Sequence, residues 1–114
     1  MRPIILAAVL LSAPAAAAAE LPVHHGFLTG KSYLQISDVV KPLYVSGLID
    51  GLLGSPLFGA PAEGKVARLG ACLEKMSSGQ ATAVVTRYVR AHPAQQDWDM
   101  QVLAYDALHD LCGF

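Results

Sequence analysis

Four histidines, two cysteines and nine acidic residues are the side chains of this chain best suited to chemistry, and their spacing limits what they can do. His24 and His25 are adjacent while His92 and His109 stand on separate segments, so no HxxxH or CxxC pattern prepares a metal site. Copper or zinc capture by the His24–His25 arm is the metal reading that spacing leaves open; a solvated arm is the simpler one. Nucleophilic catalysis requires a serine or cysteine held by a base, and the chain has no GxSxG elbow and no cysteine to spare once Cys72 and Cys112 pair. Asp106 and Asp110 fall four apart, as neighbours on a helix, where acidic pairs are ordinarily solvated. Asp50 borders Gly51 and reads as a structural hydrogen-bonding group. No catalytic constellation emerges, and the expectation is a binding protein without enzymatic activity, metal or cofactor.

The pairing of Cys72 with Cys112 depends on where the chain resides. Residues Met1 to Ala19 carry one basic residue, Arg2, then an apolar run from Ile4 to Leu11, then a small-residue tract ending Ala17-Ala18-Ala19. That order predicts an export signal with an A-x-A cleavage site; the apolar run is too short for a membrane span, and no lipobox cysteine follows. In an oxidising compartment an even pair of cysteines reads as one disulfide, against the alternative of two unpaired core thiols. Closing a loop of about 40 residues contributes roughly 4 kcal/mol in the chain-entropy picture.

Cleavage after Ala19 leaves Glu20 to Phe114, enough for one domain. With Arg2 removed, seven Lys or Arg face nine Asp or Glu. This near balance, without blocks of like charge, argues against nucleic acid and against an anionic membrane as partner.

The elements that position these residues read as helices. Glu20 to Thr29 has no period and forms an arm, and Gly30 to Leu34 is expected to make a helical turn. The first long helix starts at Ser37, as a cap with Asp38 beside it, or at Lys41 because of Pro42. Val40, Leu43, Tyr44, Gly47, Leu48, Gly51 and Leu52 fall on one face, expected to be the buried one. Gly47 and Gly51 on that face predict close approach by another helix or a large ring; the alternative is that Gly51 marks fraying toward Gly54. Gly54 to Gly64 is a loop whose tip carries Leu57 and Phe58, which either fold back on the core or enter a partner's pocket. A second helix, about Lys65 to Met76, sets Val66, Leu69, Cys72, Leu73 and Met76 on one stripe. Ser77 and Gln80 form a capping box for a third, which Pro93 ends near Ala91 or His92. The last runs from about Asp97 to Leu111, with Trp98, Val102, Tyr105, Leu108, Leu111 and Cys112 as its apolar side and Gly113 just past its end. No segment alternates as a strand does. The expected fold is all-α, four main helices in a compact bundle, with the disulfide tying the second to the last.

One string of landmarks runs through nearly all of the chain after Ala19: Phe27-Leu28-Thr29-Gly30, Tyr44-Val45-Ser46-Gly47-Leu48-Ile49-Asp50-Gly51, Cys72, Gln80, Val84-Val85, Tyr88-Val89, His92-Pro93, Ala104, Ala107-Leu108 and Cys112. It resembles the Rap/Tai family of type VI secretion immunity proteins. The chain departs from that pattern in having no cysteine between Leu34 and Lys41 and in having Leu73, where proline is common, after Cys72. The resemblance implies a periplasmic, helical, disulfide-bonded protein, often a homodimer, that binds a peptidoglycan-cleaving effector such as an amidase and occludes its cleft. Leu57 and Phe58 are the expected anchors, because apolar and aromatic tips dominate many interfaces. Two other classes fit the composition: a small periplasmic stress chaperone of the HdeA kind, and a helical adaptor or structural subunit that packs a partner helix on Gly47 and Gly51.

Overall fold

A computed structural model describes residues 26–58 and 63–114; the expected export segment Met1 to Ala19 and the His24–His25 arm lie outside the described residues. The described chain forms α1 (Gly30–Gln35), α2 (Lys41–Leu53), α3 (Glu63–Leu73), α4 (Ser78–Ala91) and α5 (Met100–Cys112). Short 3-10 turns at Ser55–Phe58 and Pro93–Gln95 precede α3 and α5. Among the described residues there is no strand beyond a single antiparallel bridge between Thr29 and Asp99. The fold is therefore all-α, with four main helices.

α1 and α4 start where a capping box satisfies their free amides. Thr29 and Ser32 cap α1 reciprocally: the Ser32 amide donates to Thr29 Oγ1 at 3.2 Å and the Thr29 amide donates to Ser32 Oγ at 2.8 Å. The expected box at α4 is present, with the Gln80 amide donating to Ser77 Oγ at 3.1 Å and the Ser77 amide donating to Gln80 Oε1 at 2.9 Å. Of the two starts open to the first long helix, the later one holds. Ser37 closes a turn, its carbonyl accepting from the amides of Val40 and Lys41, and α2 begins at Lys41 with Pro42 in its first turn. A helix begun at Ser37 would need a Pro42 N–H to bond Asp38, and proline has none.

The last helix starts three residues later than expected, because the segment before it is occupied. The Met100 amide donates to the Leu28 carbonyl at 2.9 Å, the Gly30 amide to Trp98 at 3.0 Å and the Lys31 amide to Gln96 at 2.8 Å. These bonds clamp the leading arm against residues 96–100. At the far end Gly113 takes φ of 67°, the left-handed turn expected there, and its amide donates to His109. Phe114 is thereby folded back, its ring edge-on to Tyr105 and His109.

α4 packs against α2 and α5, and α3 against α5 and α2. Between them lie Tyr33, Val45, Leu69, Val85, Val89, Met100, Leu103, Leu108 and Phe114, with Ala104 and Ala107 where helices meet closely. Two buried faces differ from expectation. On α5 the core side is Met100, Leu103, Ala104, Ala107 and Leu108, while Trp98, Val102 and Leu111 are exposed. The alanines let α4 come near, which a stripe of large side chains would prevent. On α2 the core side is Val45, with Tyr44, Leu48, Ile49 and Leu52 packed beside it; Tyr44, Leu48 and Leu52 are on the expected face, whereas Val40, Leu43, Gly47 and Gly51 point outward. α2 is apolar nearly all round, so spacing could not choose its inner face.

Candidate functional site

The Cys72–Cys112 disulfide joins the end of α3 to the end of α5, with the Cα atoms 5.7 Å apart. It braces an apolar pocket of about 290 Å³ lined by Leu52, Ser55, Lys65, Val66, Leu69, Tyr105 and Phe114. Leu69 lies one turn before Cys72 and Phe114 two residues after Cys112, so the bridge ties two walls of the pocket together. Ser55 belongs to the 3-10 turn Ser55–Phe58, which places the backbone of Leu57 and Phe58 immediately after the pocket rim. The side chains of Leu57 and Phe58 lie outside the described residues. At this size the pocket admits one aromatic or branched aliphatic side chain.

A second hollow, about 530 Å³, runs between the start of α2 and α4, lined by Lys41, Thr82, Thr86, Arg87 and Arg90 with Asp38 at its edge. Its buried polar side chains, Lys41, Thr82 and Thr86, are hydrogen-bonded. Lys41 is 5% exposed, and its ammonium donates to the Ile36 carbonyl at 2.6 Å and to Asp38 Oδ1 at 3.0 Å. That hydrogen bond, and then the ammonium charge, hold the Asp38 carboxyl below the usual carboxylate range. The Tyr33 hydroxyl pairs with the Thr86 hydroxyl at 2.7 Å. Burial pushes the Tyr33 phenol above its ordinary pKa, partly offset by the bond to Thr86. Sequence reading missed this floor, although Lys41 beside Pro42 at a helix start was its one visible signal.

The groups singled out for chemistry are dispersed. His92 closes α4, its Nδ1 2.7 Å from the Tyr88 carbonyl and its ring stacked on Tyr88. His109 stacks on Tyr105 near the other end of α5. Asp50 is exposed, with no side-chain hydrogen bond to the described residues, in place of the structural hydrogen bond expected of it. Burial first, then the charges of Asp106 and Asp110, push the Tyr88 phenol above its ordinary pKa. Among the described residues no three metal-ligating side chains gather, and no helix is long and apolar enough to cross a membrane.

Gly47 and Gly51 give the clearest departure. A Cβ built at either would meet nothing within 4 Å, so no helix or ring among the described residues approaches them. The expected close contact occurs at Gly30 instead, where a Cβ would come 2.7 Å from Leu103 Cδ1 and 3.1 Å from Val89 Cγ1. Beside the two open glycines Val39, Val40 and Leu43 are 80%, 45% and 72% exposed, a run of apolar surface on the outer side of α2.

Comparison of the chain with models of known families, with curated proteins and with solved structures finds no match.

Proposed function

We propose that this chain is a periplasmic immunity-type protein that binds a peptidoglycan-cleaving effector and occludes its catalytic cleft. The observation that carries this reading is the apolar pocket at the base of the Leu57–Phe58 segment, braced by the Cys72–Cys112 disulfide. The socket offers a cavity for a partner's side chain, and the neighbouring Leu57 and Phe58 are of the apolar and aromatic types that dominate protein-binding hot spots. The landmark string from Phe27 to Cys112 and the export segment Met1 to Ala19 support the compartment and the class of partner. Occlusion asks nothing of this chain but shape, and the dispersal of His92, His109, Asp50 and Asp106 is compatible with that.

The test is calorimetry of the mature protein with a peptidoglycan amidase encoded beside its gene. Replacing Leu57 and Phe58 together by serine is expected to weaken binding by about tenfold or more, with Tm nearly unchanged. Unchanged affinity removes the loop as the anchor; absence of any binding removes the immunity reading. Suppression of client aggregation at low pH, read by light scattering, would instead assign the protein to the stress chaperones.

A further inference from the structure

We propose that the hollow between the start of α2 and α4 binds a small molecule by its oxyanion, a phosphate monoester or a carboxylate, held by Arg87 and Arg90 over a floor of Lys41 and Thr86. The inference stands apart from the effector reading, since no residue lining this hollow belongs to the apolar pocket beside the Leu57–Phe58 turn.

The polar interior of the fold converges on this one place. Among the described residues the buried polar or charged side chains are Lys41, Thr82 and Thr86, and all three line the hollow. Burying such groups costs free energy that an apolar side chain would not, so their gathering under one concave surface needs a reason. Holding the fold accounts for part of it: Thr82 donates to the Ser78 carbonyl at 2.7 Å, and Lys41 fastens the Ile36 carbonyl and Asp38. Donors remain after that. An ammonium has three protons, and these two bonds leave Lys41 one over. Tyr33 is wholly buried with its hydroxyl against Thr86. With Tyr33 donating, the Thr86 proton is free for a ligand above it.

The rim supplies the charge. Arg87 and Arg90 stand one turn apart on α4, both exposed and both lining the hollow. Among the described residues the ion pairs are Lys41–Asp38 and His109–Asp110, so neither guanidinium has a carboxylate partner there. Of the charged side chains lining the hollow, Lys41 and Asp38 offset each other and the two arginines are left over. The Arg90 charge is felt at the floor: burial raises the Tyr33 phenol, and the Thr86 bond and then Arg90 oppose that rise. Two guanidinium groups side by side repel, and an oxyanion that accepts from both forks relieves the repulsion. Asp38 opposes an anion, but its side chain is 94% exposed at the edge and tied to Lys41, which directs the ligand to the arginine end.

Size and lining favour a small molecule. At about 530 Å³ the hollow exceeds a bare anion and falls within the range of small-ligand sites. Pro42, Gly79 and Ala83 leave the rest of its wall without charge or long side chains, which gives room to the body that carries the oxyanion. An acidic protein surface would meet the two arginines and have no use for donors buried beneath them.

NMR titration of the protein with inorganic phosphate and, separately, with succinate at constant ionic strength tests the proposal. Saturable shifts at the amides of Lys41, Thr82, Thr86, Arg87 and Arg90 are expected with at least one of them, and the tighter of the two tells phosphate from carboxylate. Arg87→Ala and Arg90→Ala should each raise the dissociation constant about tenfold, with Tm nearly unchanged because both side chains are exposed. The double variant Arg87→Lys, Arg90→Lys keeps the charge and loses the forks, and should weaken binding about tenfold or more. Undiminished binding in that variant overturns the proposal, as do equal shifts with chloride, which would mean charge screening alone. Absence of any saturable shift also overturns it. Binding of a hexaglutamate peptide where neither small anion binds overturns it as well, and gives the rim to an acidic protein segment.

Discussion

Gly30 and Gly47 are the same residue in opposite surroundings. Gly30 opens α1 under α4 and α5, walled by Leu103, Val89 and the Gln96 backbone, whereas Gly47 sits mid-helix on α2 with open space above it. At the first position the missing side chain is filled by the chain's own core, and the leading arm docks there through the bonds from Gly30 and Lys31. At the second it is filled by nothing among the described residues. Absence of a side chain is thus a packing requirement on the inner side of this fold and an unspent surface feature on the outer side.

The contrast can be broken or sharpened by substitution. The largest effect is expected where the inner packing is braced: replacing Cys72 and Cys112 together by serine should cost about 4 kcal/mol, or roughly 20 °C in Tm, by thermal unfolding. An intact Tm would show that the core at α3 and α5 holds without its staple. Gly30→Ala comes next, at about 1–3 kcal/mol, because Leu103 is fully buried and has little room to yield. A neutral Gly30→Ala would collapse the distinction between the two glycines.

Tyr33→Phe removes one partner of the buried Tyr33–Thr86 pair and should cost about 1 kcal/mol near neutral pH. Its pH dependence follows from the raised phenol. The unfolded chain ionises Tyr33 first, so its contribution is intact below the ordinary phenol pKa of about 10 and declines above it. Urea unfolding at rising alkaline pH should therefore show the parent protein losing stability faster than Tyr33→Phe. Parallel curves would mean that Tyr33 ionises as readily folded as unfolded. Gly47→Ala is the smallest effect and has the opposite sign to Gly30→Ala: the dilute monomer should gain about 0.5–1 kcal/mol, seen as a higher urea midpoint. A loss there would place an unseen neighbour over Gly47 in the monomer.

Much of the helical frame was legible because its signals are local. The capping box at Ser77 and Gln80, the stop at Pro93 and the left-handed Gly113 each depend on a few adjacent residues, and all three occur where expected. The inner faces of α2 and α5 were legible in part: Tyr44, Leu48 and Leu52 on α2, and Tyr105, Leu108 and Cys112 on α5, pack on the core as expected, while Val40, Leu43, Val102 and Leu111 do not. Each helix carries two overlapping apolar stripes, and the choice falls to the neighbour: α5 turns Ala104 and Ala107 toward a close contact, leaving Trp98, Val102 and Leu111 outside. The Lys41–Asp38 and Tyr33–Thr86 floor was hidden for a related reason, since Tyr33 and Thr86 stand 53 residues apart.

By itself the sequence determined the all-α class, the number of main helices, most of their limits and the pairing of Cys72 with Cys112. These follow from short-range backbone chemistry and from having two cysteines. The tertiary structure alone decided which side of α2 is buried, where the Leu57–Phe58 turn departs from the pocket, and that Gly30, unlike Gly47 and Gly51, is pressed by neighbours. The physical reason is that burial depends on the summed area two elements hide from water when they meet, and neither helix carries that sum in its own residues.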